Sequence, residues 1–111
     1  LGVEGGHFEG PEMKGELVPH QGSEWATSRS DLSMRADVRL LLRTHDDEHI
    51  LMTYNGIAQP HGDALGVIAA PQFQTGAERY AWLNRVQAAS YGAPVEGGIG
   101  YDVYALGWLE D

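Results

Sequence analysis

At 111 residues the chain has room for one compact domain with a single core and too little for two. Lys and Arg total 7 against 16 Asp and Glu, a formal charge of -9 with neutral histidines. That balance opposes nucleic-acid binding and an anionic membrane surface, because both ask for a basic face. Cysteine is absent, which excludes disulfides, thiolate metal sites and thiol nucleophiles. No apolar run nears the ~20 residues that span a bilayer, so a soluble cytoplasmic protein is expected.

Fifteen Gly and five Pro punctuate short apolar stretches, a spacing that suits strands joined by turns. The chain opens on Leu1, already inside patterned sequence, so a segment upstream is expected. Strands are predicted over Gly2 to Phe8, Met13 to His20, Trp25 to Arg29, Met34 to Thr44, His49 to Gly56, Leu65 to Ala70, Arg85 to Ser90 and Ile99 to Leu109. About eight antiparallel strands in one open sheet leave two vulnerable edges, and closure removes them. The expected fold is therefore all-β: a small antiparallel β-barrel occupying residues 1–111.

Met34 to Thr44 is the clearest strand. Its period of two sets Asp37, Arg39, Leu41 and Arg43 on one side and Val38, Leu40 and Leu42 on the other. Apolar groups on both sides imply that the outer wall is covered by another subunit, so a homo-oligomer, dimer or tetramer, is expected. The acidic turn at 45–48 then leads back as a hairpin. Thr75-Gly-Ala-Glu78 has capping-box spacing and predicts a short helix of about two turns ending at Asn84. The stretch Gly92 to Gly98 is expected to be a flexible connection.

Asp37 and Arg39 lie two apart on a strand, so their side chains point the same way and can meet inside a barrel. There the carboxyl can move a proton and the guanidinium can stabilise a developing oxyanion. A buried structural ion pair is the competing reading. Glu24 beside Trp25 supplies a second carboxyl next to a large apolar surface. Adjacent strand residues face opposite ways, so Trp25 is assigned to the lumen and Glu24 ranks lower. Tyr80 and Asn84 share a helical face that excludes Trp82. Tyr54, Tyr101 and Tyr104 offer hydroxyls and flat surfaces to an aromatic ligand, or simply pack well on strands. His45 and His49 have the spacing of metal ligands on a helix but flank a hairpin turn, so no metal is expected. No Gly-x-Ser-x-Gly elbow is present.

Four stretches arrive together in one order: Gly22-Ser-Glu-Trp25, Asp37-Val-Arg-Leu-Leu-Leu-Arg-Thr44, Phe73-Gln-Thr-Gly-Ala-Glu-Arg-Tyr-Ala-Trp-Leu-Asn84 and Tyr101-Asp-Val-Tyr104. In these the chain resembles domain of unknown function family 3237 over nearly its whole length. The resemblance implies a lipocalin- or streptavidin-like barrel whose first strand precedes Leu1. It also implies cofactor-free ring closure of a phenolic polyketide, with a hydroxyl added across an alkene. This chain has Glu24 where the family has Asp, which keeps a carboxylate but changes its reach. On this reading Asp37, Arg39 and Glu24 are the candidate catalytic residues. Trp25, Tyr54, Trp82, Asn84, Tyr80 and Tyr104 are the candidate substrate contacts, no cofactor is needed, and the partner is a small aromatic or apolar molecule. A binding barrel without chemistry and a structural subunit are the alternatives.

Overall fold

The computed structural model describes residues 2–3 and 6–107. Its strands form one antiparallel meander. β1 (Gly2–Val3) and β2 (Gly6–Glu9) run against β4 (Gly22–Ser28) and β3 (Lys14–Leu17) respectively. Both β3 and β4 lie along one side of the long strand β5 (Met34–Thr44). β6 (His49–His61) pairs along the other side of β5 and in turn carries β7 (Ala64–Ala69) and β8 (Gln72–Gln74). β9 (Ala88–Val95) joins β7, and β10 (Gly98–Ala105) completes the path. The result is a curled, barrel-like sheet with one short helical segment, as the strand pattern predicts. The curl is a half-barrel: among the described residues β1 and β10 end the path without pairing with each other.

Turn chemistry fixes the meander. Two residues, Gly62 and Asp63, link the pair His61↔Ala64, with Gly62 at φ +63°. The β9–β10 turn is as tight: Val95 faces Gly98, and Gly97 takes φ +85°. Glycine reaches these angles without the Cβ clash that penalises other residues. The acidic turn between β5 and β6 closes by Thr44 N–H to Glu48 O and Asp47 N–H to Thr44 O, at 2.8 and 3.0 Å.

Alternation gives the sheet two unlike faces. One carries Val38, Leu42, Ile50, Ala58, Val67 and Ala69, all buried. It is called the core face below. The segment Glu78–Arg85 packs on its lower end, where Tyr80 and Leu83 join Leu42 and Ile50 with Phe8, Leu17 and Phe73 around them. Each such aliphatic side chain taken from water contributes about 1.5–3 kcal/mol. The opposite face carries Trp25, Asp37, Arg39, Asn55, Ile68 and Tyr91, all exposed, and is called the open face.

Three expectations need correction. The Glu78–Arg85 segment is a 3₁₀ helix, and no side chain caps it. The Thr75 hydroxyl donates instead to His49 O at 2.7 Å and accepts from Ala77 N–H, so Thr75 ties the segment to β6 and the capping box does not form. Three residues per turn align Tyr80 with Leu83, which is why Tyr80 and Asn84 do not share a face. Gly92 to Gly98 is largely strand and tight turn, with Gly92 buried inside β9. The last predicted strand closes at Ala105, and Leu109 lies outside the described residues.

Candidate active site on the open face

The β4–β5–β6 register assembles the site. Trp25 pairs with Asp37 and Asp37 with Asn55, while Ser23 pairs with Arg39 and Arg39 with Thr53. Directly paired residues project from the same side, so the carboxylate, the guanidinium and the indole share the open face; the strand period predicts this for Asp37 and Arg39, while Trp25, expected in the lumen, is 77% exposed on this face instead. β8 adds Gln72, opposite Thr53. The Gln72 Nε2 donates to Gln87 Oε1 at 2.7 Å, and the Gln87 amide is held by bonds to the carbonyls of Pro71 and Ala88 at 3.3 and 3.0 Å. Asp37, Arg39, Thr53, Asn55, Gln72 and Gln87 thus line a shallow depression of about 540 Å³. Its chemistry is a proton-accepting carboxylate, a planar cation with five donors, and fixed amides.

The expected solvent-poor setting is not found. Asp37 and Arg39 are both exposed, and the ion pairs among the described residues join Arg43 to Glu16 and Arg79 to Asp46. The buried ion-pair reading of Asp37 and Arg39 is thereby removed, because the half-barrel leaves the open face in contact with water. Both side chains are available to a ligand.

The other candidate carboxyl goes to the opposite face. Glu24 pairs with Val38, and Val38 with Tyr54, so Glu24 and Tyr54 project from the core face. The sheet separates them from Asp37. Tyr54 OH donates to Tyr101 OH at 3.4 Å, with ring centroids 6.0 Å apart. Burial drives the Tyr54 phenol far above its ordinary range, and the bond to Tyr101 and the negative charge of Glu24 push the same way. The assignment of Glu24 to one site with Asp37 is corrected on this ground, since alternation on paired strands sets their side chains on opposite faces; Tyr54 borders the same depression as Asp37, but its side chain projects from the core face.

The remaining candidates divide. Tyr80 is 1% exposed and donates through its hydroxyl to Asp46 Oδ1 at 2.7 Å, so it is a core and bracing residue and not a substrate contact. The Asn84 amide is held at both ends by Thr75, accepting from its N–H at 2.8 Å and donating to its carbonyl at 3.0 Å. It holds the loop through these two bonds. Trp82 is 42% exposed on the 3₁₀ segment, which packs on the core face. Tyr104 faces Ala89, which lines the depression, and stacks on Tyr91 with rings 6.0 Å apart and 19° from parallel. It is an aromatic wall on the open face, as Trp25 is.

Asn55, Thr53, Gln72 and Gln87 were not anticipated. The length of the β5–β6 turn was the available signal for the first two: pairing Arg43 with His49 sets Thr53 and Asn55 opposite Arg39 and Asp37. No comparable signal marks the glutamines, which meet because the chain breaks between β7 and β8 at Ala70 and Pro71.

Comparison with known proteins agrees with this architecture. A family model described as protein of unknown function (DUF3237) matches residues 1–106. A curated relative, hydroalkoxylation enzyme phnH from Penicillium herquei, is 34% identical over 90 residues, covering 81% of this chain and 52% of the relative. The chain therefore spans about half the length of that relative. Among solved structures, a β-barrel-like protein from Acinetobacter baumannii AYE superposes with a TM-score of 0.86 at 24% identity, covering 95% of this chain and 75% of that one. A protein with unknown function from Clostridium acetobutylicum ATCC 824 gives 0.85 at 19% identity, covering 96% and 78%. At these identities the two structures show the fold.

Proposed function

Since this chain belongs to the DUF3237 family, we propose that it is a cyclase-type enzyme, closing a ring on a small phenolic, polyketide-like substrate by adding the phenol across an alkene. The relative named for hydroalkoxylation supports the reaction class. The observation that carries the residue assignment is the meeting of Asp37, Arg39 and Trp25 on one face, beside a depression lined with fixed amides. The Asp37 carboxylate takes the phenol proton, and Arg39 stabilises the oxyanion. The phenolic oxygen forms a bond to one alkene carbon as the π bond opens. The proton held by Asp37 is delivered to the other carbon in the same step, so that the released π pair forms the C–H bond and the carboxylate is restored. Nothing is oxidised or reduced, so the addition requires no redox cofactor. Trp25 and Tyr104 supply apolar walls, and Asn55 and Thr53 supply hydrogen bonds that orient the substrate.

The test is incubation of the full chain in D₂O with a phenol carrying an ortho-prenyl group, followed by chromatography and mass spectrometry. The expected product is an isomer carrying one carbon-bound deuterium. Saturable binding with no isomer at any pH from 5 to 9 overturns the enzyme reading in favour of a carrier.

A further inference from the structure

The core face holds a row of residues that runs from β4 to β10: Ala26 pairs with Ala36, Ala36 with Gly56, Gly56 with Ala69, Ala69 with Ser90, and Ser90 with Val103. All but Val103 are no larger than serine, so the row leaves room inside the curl of the sheet. Ser90 is its one polar member and is 5% exposed. Its hydroxyl has no hydrogen-bond partner among the described residues, whereas every side-chain polar atom there that is closed to water is bonded. Solvent therefore reaches this hydroxyl from the concave side. A buried hydroxyl without a partner is a donor and acceptor waiting for a ligand.

Two phenols close over the row. Tyr54 precedes Gly56 by two residues on β6, and Tyr101 precedes Val103 by two on β10. The two strands run in opposite directions, so the rings flank the row from opposite sides and their hydroxyls meet across it at 3.4 Å, with the rings tilted by 59°. Tyr54 donates in that bond, which leaves the hydrogens of Tyr101 and Ser90 without an acceptor among the described residues. A carbonyl oxygen has two lone pairs and takes two such donors. We infer that Ser90 and Tyr101 form a second binding site, on the core face, for the carbonyl oxygen of a neutral aromatic ketone. The Tyr54 and Tyr101 rings offer their faces to the ring of the ligand. Val103 and Ile99, 44% and 53% exposed on the same side of β10, continue the apolar wall toward the opening. Anions fit poorly here. Arg35, Arg39 and Arg43 alternate onto the open face, and burial, the Tyr101 bond and the negative charge of Glu24 keep the Tyr54 phenol protonated. An anion on this face meets the Glu24 carboxylate and no guanidinium of β5. The site does not rest on the ring-closing reading, which uses the opposite face.

Two probes test the site without any turnover: tetralone, a bicyclic aromatic ketone, and tetralin, the same skeleton without the oxygen. Each is titrated into the full chain by calorimetry, and the ketone stretch of bound tetralone is followed in the infrared. Saturable binding of tetralone is expected, with its stretch moved to lower frequency by the two donors and with tetralin bound about tenfold or more weakly. Ser90→Ala and Tyr101→Phe should each weaken tetralone about two- to tenfold, the scale of one neutral hydrogen bond, and leave tetralin as it was. Both substitutions remove a hydroxyl and keep the rest of the side chain, and thermal unfolding confirms that the fold is intact. Asp37→Asn, confined to the open face, should bind tetralone as the wild type does. No saturation up to the solubility limit of tetralone overturns the inference. So do equal affinities for the two probes, wild-type affinity for tetralone in either hydroxyl variant, or loss of tetralone binding in D37N.

Discussion

Trp25 stands directly opposite Asp37 on the β4–β5 ladder, which sets the indole beside the carboxylate with Cβ atoms about 4.5–5.5 Å apart. An aromatic substrate lying against Trp25 therefore has its phenol within reach of Asp37. Replacing Asp37 with Asn keeps the shape of an exposed side chain and removes its ability to carry a proton. Ring closure is expected to fall about 10²–10⁴-fold, mainly in kcat, with the thermal midpoint unchanged. Trp25→Ala should act mainly on KM. Full turnover by D37N would remove Asp37 from the mechanism.

Arg39 is expected to separate charge from geometry. Arg39→Lys retains the positive charge and loses the planar fork of donors, whereas Arg39→Gln loses both. If Arg39 meets a phenolate in the transition state, R39Q should lose about 10²–10³-fold in kcat, the scale of an oxyanion donor, and R39K should recover part of it. Equal rates for R39Q and the wild type would leave Arg39 without a catalytic role.

Strand period alone makes the common side of Asp37 and Arg39 legible, because β5 runs without a bulge from Met34 to Thr44, whereas the place of Trp25 beside Asp37 depends on the β4–β5 register. The same alternation correctly split Glu24 from Trp25, but Tyr54 was placed with Asp37 because its face depends on the β5–β6 register, which requires counting through the turn. Tyr80 and Asn84 were misread for a different reason. Their roles depend on a 3₁₀ pitch and on partners 34 and 9 residues away in sequence, and a composition that also suits an α-helix does not reveal either. Solvent exposure of Asp37 and Arg39 was hidden too, since it follows from how far the sheet closes and not from any one strand.

Asp46 makes the pH dependence of stability specific. Its carboxylate accepts from the Thr44 hydroxyl at 2.6 Å, from Tyr80 at 2.7 Å and from Arg79 at 2.8 Å. These donors, Thr44 first and Tyr80 next, hold the carboxyl well below its ordinary 3.8. The folded state then binds fewer protons than the unfolded chain near that value, so the stabilisation is complete above about pH 4 and fades as pH falls further. Asp46→Asn should lower the urea midpoint at pH 7, and the gap from wild type should narrow toward pH 2. Coincident midpoints at pH 7 would show that the bracing of Tyr80 by Asp46 contributes nothing.

The alkaline limb has the opposite sign. Burial raises the Tyr54 phenol well above the ordinary 10.0, so above pH 10 the unfolded chain ionises while the folded one keeps its proton, and stability falls as pH rises. Tyr91, beside the Tyr104 hydroxyl, is pushed up to about 12 and ionises before Tyr54. Absorbance at 295 nm should therefore show a last tyrosine that titrates only as the protein unfolds. Tyr54→Phe should abolish that step and shift alkaline unfolding to higher pH. A native Tyr54 ionising near pH 10 would contradict its burial.

Gly92 is where the placement of Tyr101 is decided. A Cβ built on Gly92 would lie 2.6 Å from Tyr101 Cδ1 and 2.8 Å from the Gly100 carbonyl oxygen, so the ring lies flat on this backbone. Across the sheet the same ring meets Tyr54. Gly92→Ala must therefore lift the Tyr101 ring or part β9 from β10, and overpacking of this kind costs about 1–3 kcal/mol. Tyr101→Ala removes the ring clash and the contact with Tyr54 but leaves the Gly100 carbonyl oxygen 2.8 Å from the new Cβ, so G92A should cost less in the Y101A background than alone without becoming free. Urea unfolding of the two single variants and the double variant forms a thermodynamic cycle. Additive losses would mean that Gly92 is required by the β9–β10 backbone, whereas the part of the loss recovered in the double variant belongs to the Tyr101 ring.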